Sequence, residues 1–258
     1  MRVAVLGASG RMGRAVVRLA HEGGHPVVAA IGAADVGADA GELAGIGAIG
    51  TKITTGLDLA GADVLVDFSS PSIAGEAFAA CAQQKVAIAS GTTGLEADAL
   101  AALDAAARAV PVLWEPNMSV GVHVLSALLA QAIAALGPGY DIEIVETHHR
   151  KKVDAPSGTA LRLAEVARKA RTEASRFVTG RDGKPGARTS EEIGVLALRG
   201  GDVIGDHTAF LLGDGERIEL THKASSRDLF ARGALRAATW LAGKPAGRYG
   251  LADVLSGS

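Results

Sequence analysis

The sequence predicts an α/β protein: a doubly wound parallel sheet forming a dinucleotide-binding domain, then a second, smaller α/β domain of open mixed sheet. Three observations predict this. Short apolar runs alternate with helical runs over the first 119 residues, and that alternation builds a parallel sheet covered on both faces. A glycine loop follows the first apolar run directly. Beyond Ser119 the texture changes to strand-like runs joined by a hairpin signal.

Taken in order, residues 1–6 (MRVAVL) read as the first strand and residues 14–21 as a helix. Between them lies Gly7-Ala-Ser-Gly10-Arg-Met-Gly13, spaced GxxGxxG rather than GxGxxG. Strand, glycine loop and helix make a dinucleotide-binding turn: Gly7 permits the tight turn, Gly10 admits a pyrophosphate, and Gly13 lets the helix pack on the strand. Ser9, Arg11 and Met12 lie within the same loop. Residues 26–31, 64–68, 86–90 and 110–114 read as further strands, with helices over 72–84 and 97–109. Ligands bind at the carboxyl ends of such strands, which here carry Phe68-Ser-Ser-Pro71, Gly91-Thr-Thr-Gly94 and Glu115-Pro-Asn-Met-Ser119. Phe68, Gly91, Thr92, Thr93, Pro116, Asn117 and Met118 are therefore the candidates for contact with a nicotinamide and its ribose.

A helix over residues 120–136 breaks at Gly137-Pro-Gly139. Strand-like runs follow at 141–145, 194–198, 208–212 and 216–221, with Gly213-Asp-Gly215 as a hairpin turn and 181–188 as a loop. The final helix, 228–241, returns to the first domain, so the expected division is 1–119 with 229–258, and 120–228.

Composition narrows the function classes. Apolar residues are 48% of the 258 and aromatics 3%, so the core is mainly Ala, Val, Leu and Ile. Net charge is −2, which argues against the broad positive surface that nucleic acid requires. No apolar run reaches the ~20 residues of a membrane span, and the N-terminus enters a strand without a signal-peptide layout. Cys81 is the only cysteine; a buried thiol in a reducing compartment is expected, and a cytoplasmic protein with it. No metal ligand set is assigned.

The chemistry concentrates in Glu146-Thr-His-His-Arg-Lys-Lys-Val-Asp-Ala-Pro-Ser-Gly-Thr159. Cationic and imidazole groups fill positions 148–152, where a strand ends, and a helical run over 160–170 follows. The amides of Ser157, Gly158 and Thr159 at that helix start can face carboxylate or phosphate oxygens. Histidines add groups that exchange protons near neutral pH. The segment reads as a place where a small, strongly anionic molecule is bound and protonated.

Gly7-Ala-Ser-Gly-Arg-Met-Gly13, Gly91-Thr-Thr-Gly94, Glu146-Thr-His-His-Arg150 through Ala160, Arg199-Gly-Gly-Asp202 and Thr221-His-Lys-Ala-Ser-Ser-Arg227 together closely resemble the bacterial dihydrodipicolinate reductase family of diaminopimelate and lysine biosynthesis. The resemblance runs nearly end to end. It implies a cyclic imine substrate with two carboxylates, hydride from NADH or NADPH, and a homotetramer assembled through the open sheet. It also implies His148 and Lys152 as the acid-base pair, His149 and Arg150 as substrate contacts, and Gly158 and Thr159 as carboxylate holders. Two departures stand out. No acid follows the second strand until Asp35, with no arginine beside it for a 2′-phosphate, and Lys151 replaces a frequent histidine. Read from the residues alone, an amino-acid dehydrogenase and a nucleotide-sensing regulator without turnover remain alternatives.

Overall fold

The structure, a computed structural model, describes residues 1–59, 61–171 and 173–257. The chain divides into two compact units, Met1–Val120 with Arg227–Ser258, and Gly121–Ser226.

The first unit runs β1 (Val3–Leu6), α1 (Arg11–Glu22), β2 (Val27–Ile31), α2 (Ala40–Ala44), β3 (Ile53–Thr54), β4 (Val64–Asp67), α3 (Pro71–Gln84), β5 (Ala87–Ser90), α4 (Ala97–Ala106) and β6 (Pro111–Trp114). After the second unit it resumes with α7 (Asp228–Leu241), β12 (Gly247–Tyr249) and α8 (Leu251–Ser256). Its seven strands are all parallel, in the order β12-β6-β5-β4-β1-β2-β3. The chain builds outward from β1 in one direction through β2 and then in the other through β4, so the switch point lies at the β1–β4 edge. Alternation along β1 sends Val3 and Val5 into the core under α1 and α7, and Ala4 and Leu6 into the core under α3 and α4. Both faces are thus covered, which is why these strands read as continuous apolar runs.

The second unit holds α5 (Val120–Leu136), β7 (Asp141–His148), α6 (Gly158–Ala170), β8 (Arg176–Val178), β9 (Glu192–Arg199), β10 (Asp206–Gly213) and β11 (Glu216–Lys223). The sheet order is β11-β10-β7-β9-β8. β7, β8 and β9 run parallel, while β10 is antiparallel to β7 and β11. One face is closed by α5 and α6, whose Leu129 and Leu163 pack against Ile142, Ile144, Ile193, Val195 and Leu211. On β7 the buried positions continue from Ile142 and Ile144 to Glu146 and His148. A period of two therefore delivers a carboxylate and an imidazole to the end of an apolar stripe.

Several elements differ from the sequence expectation. α1 begins at Arg11, not 14, because extended Gly10 caps it and Arg11, Met12 and Gly13 form its first turn. β7 runs on to His148 rather than stopping at 145, so the first imidazole is anchored in a strand. β3, β8, β12, α2 and α8 were not expected; at two to six residues they are too short to show a period.

Candidate functional site

In the first unit the glycine loop works by removing side chains. Gly7 has φ +81°, and a Cβ there would stand 2.5 Å from the Phe68 carbonyl oxygen. A Cβ on Gly13 would collide with the Gly7 carbonyl, so α1 can approach β1 only with glycine at that position. No side chain caps α1 at Gly10, leaving its first turn to present N–H groups and the positive end of the dipole to an anion.

Beside this loop is a cavity of about 290 Å³, lined by the expected Met12, Phe68, Gly91, Thr92, Thr93, Pro116 and Met118. Asn117 is not in that lining; its Oδ1 accepts from the Ser119 N–H at 2.9 Å and shapes the turn. Ser69, Arg227 and Phe230 complete the wall. Phe68 lies over Gly91, where any Cβ would strike the ring. The buried Ser69 Oγ has no hydrogen-bond partner among the described residues. Apolar walls and an unsatisfied hydroxyl fit a nicotinamide ring with its polar carboxamide and ribose.

The strand ends around the cavity are tied by Asp67, a fully buried carboxylate. Its Oδ2 accepts from Ser90 Oγ at 2.7 Å and Thr92 Oγ1 at 2.9 Å, and its Oδ1 from the Ser69 N–H at 2.9 Å. Without it the Ser90 and Thr92 hydroxyls would lose their acceptor, at roughly 1–3 kcal/mol apiece, while the Ser69 N–H also reaches Thr92 Oγ1 at 3.2 Å. Asp67 thereby sets the backbone of both loops.

At the end of β2 the structure corrects one expectation. No arginine adjoins Asp35 in sequence, yet Arg14 reaches it from α1, Nη2 to Oδ2 at 3.0 Å, while Arg14 Nε donates to the Ser9 carbonyl at 2.9 Å. Arg14, the residue directly after Gly13, thus pairs in space with an acid that is 21 residues away along the chain.

In the second unit the arrangement is built from charge. Glu146 is fully buried. Arg199, on the neighbouring β9, grips it with both Nη atoms, each at 2.8 Å. His148 Nδ1 stands 2.6 Å from Oε2, and the Ser157 N–H donates to Oε1 at 2.9 Å. Burial pushes the Glu146 carboxyl up, but Arg199, His148 and the Ser157 amide outweigh it and hold the group below its ordinary value. The expectation that the Ser157 amide faces a ligand is therefore corrected: Glu146 takes it. Ser157 Oγ instead caps α6 through the Ala160 N–H at 3.2 Å, leaving the helix to open at Gly158 and Thr159. The space beside Gly158 is empty to 4 Å.

His207, on β10, meets Ser157 Oγ at 3.3 Å, and its ring stands edge-on to His148 with centroids 5.2 Å apart. Burial, with the neighbouring His148, pushes His207 down to about 4, so it is neutral near pH 7. Lys152 Nζ pairs with Asp154 Oδ1 at 2.8 Å, which lowers that carboxyl, and the Asp154 carbonyl accepts from Arg199 at 2.6 Å. His149 is half-buried, and its carbonyl accepts from the Lys152 N–H. Arg150 and Lys151 point to the exterior. Thus His148, Lys152 and the start of α6 are joined through Glu146, Arg199 and Asp154, of which the sequence reading assigned none.

Residues 1–118 match the family described as dihydrodipicolinate reductase, N-terminus, and residues 121–255 its C-terminus. The chain belongs to the dihydrodipicolinate reductase family. A 4-hydroxy-tetrahydrodipicolinate reductase from Anaeromyxobacter dehalogenans is 50% identical, over 98% of this chain and 97% of its own. One from Myxococcus xanthus is 47% identical over 99% and 97%. A dipicolinate-bound dihydrodipicolinate reductase from Paenisporosarcina sp. TG-14 shares the fold, with TM-score 0.77 at 24% identity over 97% of each chain. As a dihydrodipicolinate reductase the chain is an oxidoreductase of diaminopimelate and lysine biosynthesis, with a dinucleotide-binding fold for a nicotinamide cofactor. Among the described residues no helix is long and apolar enough to cross a membrane.

Proposed function

We propose that this chain reduces 4-hydroxy-tetrahydrodipicolinate, or the dihydro compound left when water is lost from it, to tetrahydrodipicolinate. The observation that carries the reading is the buried Glu146–His148 pair beside Lys152 and the open start of α6. Gly7, Ser9, Gly10, Arg11, Met12 and Gly13, with the residues lining the cavity, would hold a nicotinamide dinucleotide, which would supply the hydride. Hydride on one ring carbon leaves an enamine, and His148 with Lys152 delivers the proton its neighbouring carbon needs. Gly158 and Thr159 hold one substrate carboxylate at the helix N-terminus, where backbone amides and dipole both favour negative charge. His149 and Arg150 meet the same dianion.

The cofactor is NADH or NADPH. Asp35 offers an acceptor for ribose hydroxyls and Arg14 a cation for a 2′-phosphate, and because each neutralises the other discrimination between them should be modest. We place the enzyme in the cytoplasm and assemble it as a homotetramer through the outer face of the mixed sheet. That face carries Val145, Leu196, Leu198 and Phe210 opposite the helices, with Leu198 55% exposed, the apolar character an interface needs. Light scattering that gave the mass of a monomer would reject the assembly. The reaction itself is tested by competition: pyridine-2,6-dicarboxylate, a planar dianion shaped like the substrate, should inhibit competitively against it, and an inert response would reject the pocket.

A further inference from the structure

We infer that Glu146 is a positioning residue for His148, fixing its imidazole as the Nδ1–H tautomer and leaving Nε2 as the nitrogen that exchanges the proton. This rests on the proton-transfer role given to His148 above.

Glu146 meets four groups: the Ser157 N–H and Arg199 Nη2 at Oε1, and Arg199 Nη1 and His148 Nδ1 at Oε2. A guanidinium and a backbone amide can only donate, so three of the four contacts demand an acceptor. An ionised carboxylate offers acceptors alone, and the fourth partner, Nδ1, must then bring a hydrogen. Glu146 is fixed in turn: β7 aims it, β9 supplies Arg199, and the residue capping α6 supplies the amide. The other nitrogen is kept clear by Gly205, where a Cβ would stand 2.9 Å from Nε2.

The charged and titratable groups around the imidazole agree with this. From β7 comes Glu146, from β9 Arg199, and from β10 His207, with His222 opposite it on β11. Lys152, in the segment after β7, is matched by Asp154. His207 stays neutral near pH 7, so no second imidazolium stands beside the His148 ring. A carboxylate behind a histidine, selecting tautomer and steadying the cation, is a general device for making an imidazole an efficient proton carrier.

Glu146→Gln makes the inference sharp. The amide oxygen must take the Oε1 place, where two obligate donors converge. Its NH₂ then faces His148, to which it can only donate, and the neutral ring is driven to the Nε2–H tautomer. The test is ¹⁵N-resolved NMR of the histidine rings at about pH 9, where a free imidazole is neutral, with His148 assigned by the signal lost in His148→Asn. We expect Nδ1–H in the unaltered enzyme and Nε2–H in Glu146→Gln. We also expect kcat to fall by about 10²–10⁴-fold, the scale of a wrong tautomer, with the KM for cofactor within about threefold. An Nε2–H ring in the unaltered enzyme would overturn the inference, and that measurement decides even where the variant does not fold. If the tautomer reverses while kcat holds within a few-fold, the positioning stands and it is the proton-transfer role of His148 that falls.

Discussion

The two regions proposed to bind anionic ligands are built by opposite constructions. In the first unit Gly7, Gly13 and Gly91 matter for the side chains they lack: a Cβ at each meets the Phe68 carbonyl, the Gly7 carbonyl or the Phe68 ring. What remains to touch a ligand is backbone, a helix start, a few apolar walls and the polar side chains at their edges, Ser69 and Arg227 among them. In the second unit Glu146, His148, Arg199, Lys152 and Asp154 form a continuous chain of charge-assisted contacts, and the proposed chemistry rests on side chains. The difference suits the tasks. A cofactor common to many enzymes is met mainly by shape and a dipole, whereas protonating one particular carbon needs a group with a fixed proton at a fixed place.

The contrast can be broken from either side. The largest effect is expected at Lys152, where alanine should cut kcat by roughly 10² or more, the scale of a lost general acid, with cofactor affinity unchanged in a fluorescence titration. A fall of only a few-fold would remove Lys152 from that role. In the first unit the vulnerable change is the addition of a methyl group. Gly13→Ala should weaken cofactor binding about tenfold or more, since overpacking against fixed backbone costs about 1–3 kcal/mol, and equal affinity would mean that the loop yields.

Smaller effects sharpen the account of the charged nest. His207 has a folded value depressed from 6.5 to about 4. The unfolded chain therefore binds the proton first as pH falls, and stability present above about pH 6.5 is lost toward pH 4. Urea unfolding at about pH 7 and about pH 4.5 should differ by roughly 2 kcal/mol more in the unaltered protein than in His207→Gln. Identical differences would place His207 outside this linkage. Smallest of all is Arg14→Ala. An exposed pair contributes little, so the NADPH-to-NADH rate ratio should drop by only about threefold, and a rise in that ratio would contradict the cation's role.

The same contrast explains what could be read in advance. Gly7, Gly10 and Gly13, and the strand-end loops at Phe68 and Gly91, are local patterns whose meaning comes from position after a strand. The cavity residues Met12, Phe68 and Gly91 follow from them. Glu146, Arg199 and His207 are different. Arg199 lies opposite His148 across β7–β9, and His207 opposite Glu146 across β7–β10, and no spacing along the chain reveals a register. The one available signal for Glu146 was its place in an alternating strand, on the same face as Ile144 and His148. Asp67 was hidden for a related reason: it lies within the expected strand 64–68, and its three donors come from Ser69, Ser90 and Thr92. Arg14 reached Asp35 through the packing of α1 beside β2, which sequence adjacency does not express.

The most direct test of the whole account is a coupled assay in which a synthase forms the substrate in place from pyruvate and aspartate semialdehyde while nicotinamide absorbance is followed with NADH and NADPH in parallel. The account predicts substrate-dependent oxidation of both, at rates within about tenfold of each other, as an exposed Arg14–Asp35 pair of small net effect implies. Tight cofactor binding with no oxidation of either would contradict it, leaving the dinucleotide fold intact and the chemistry assigned to His148 and Lys152 wrong.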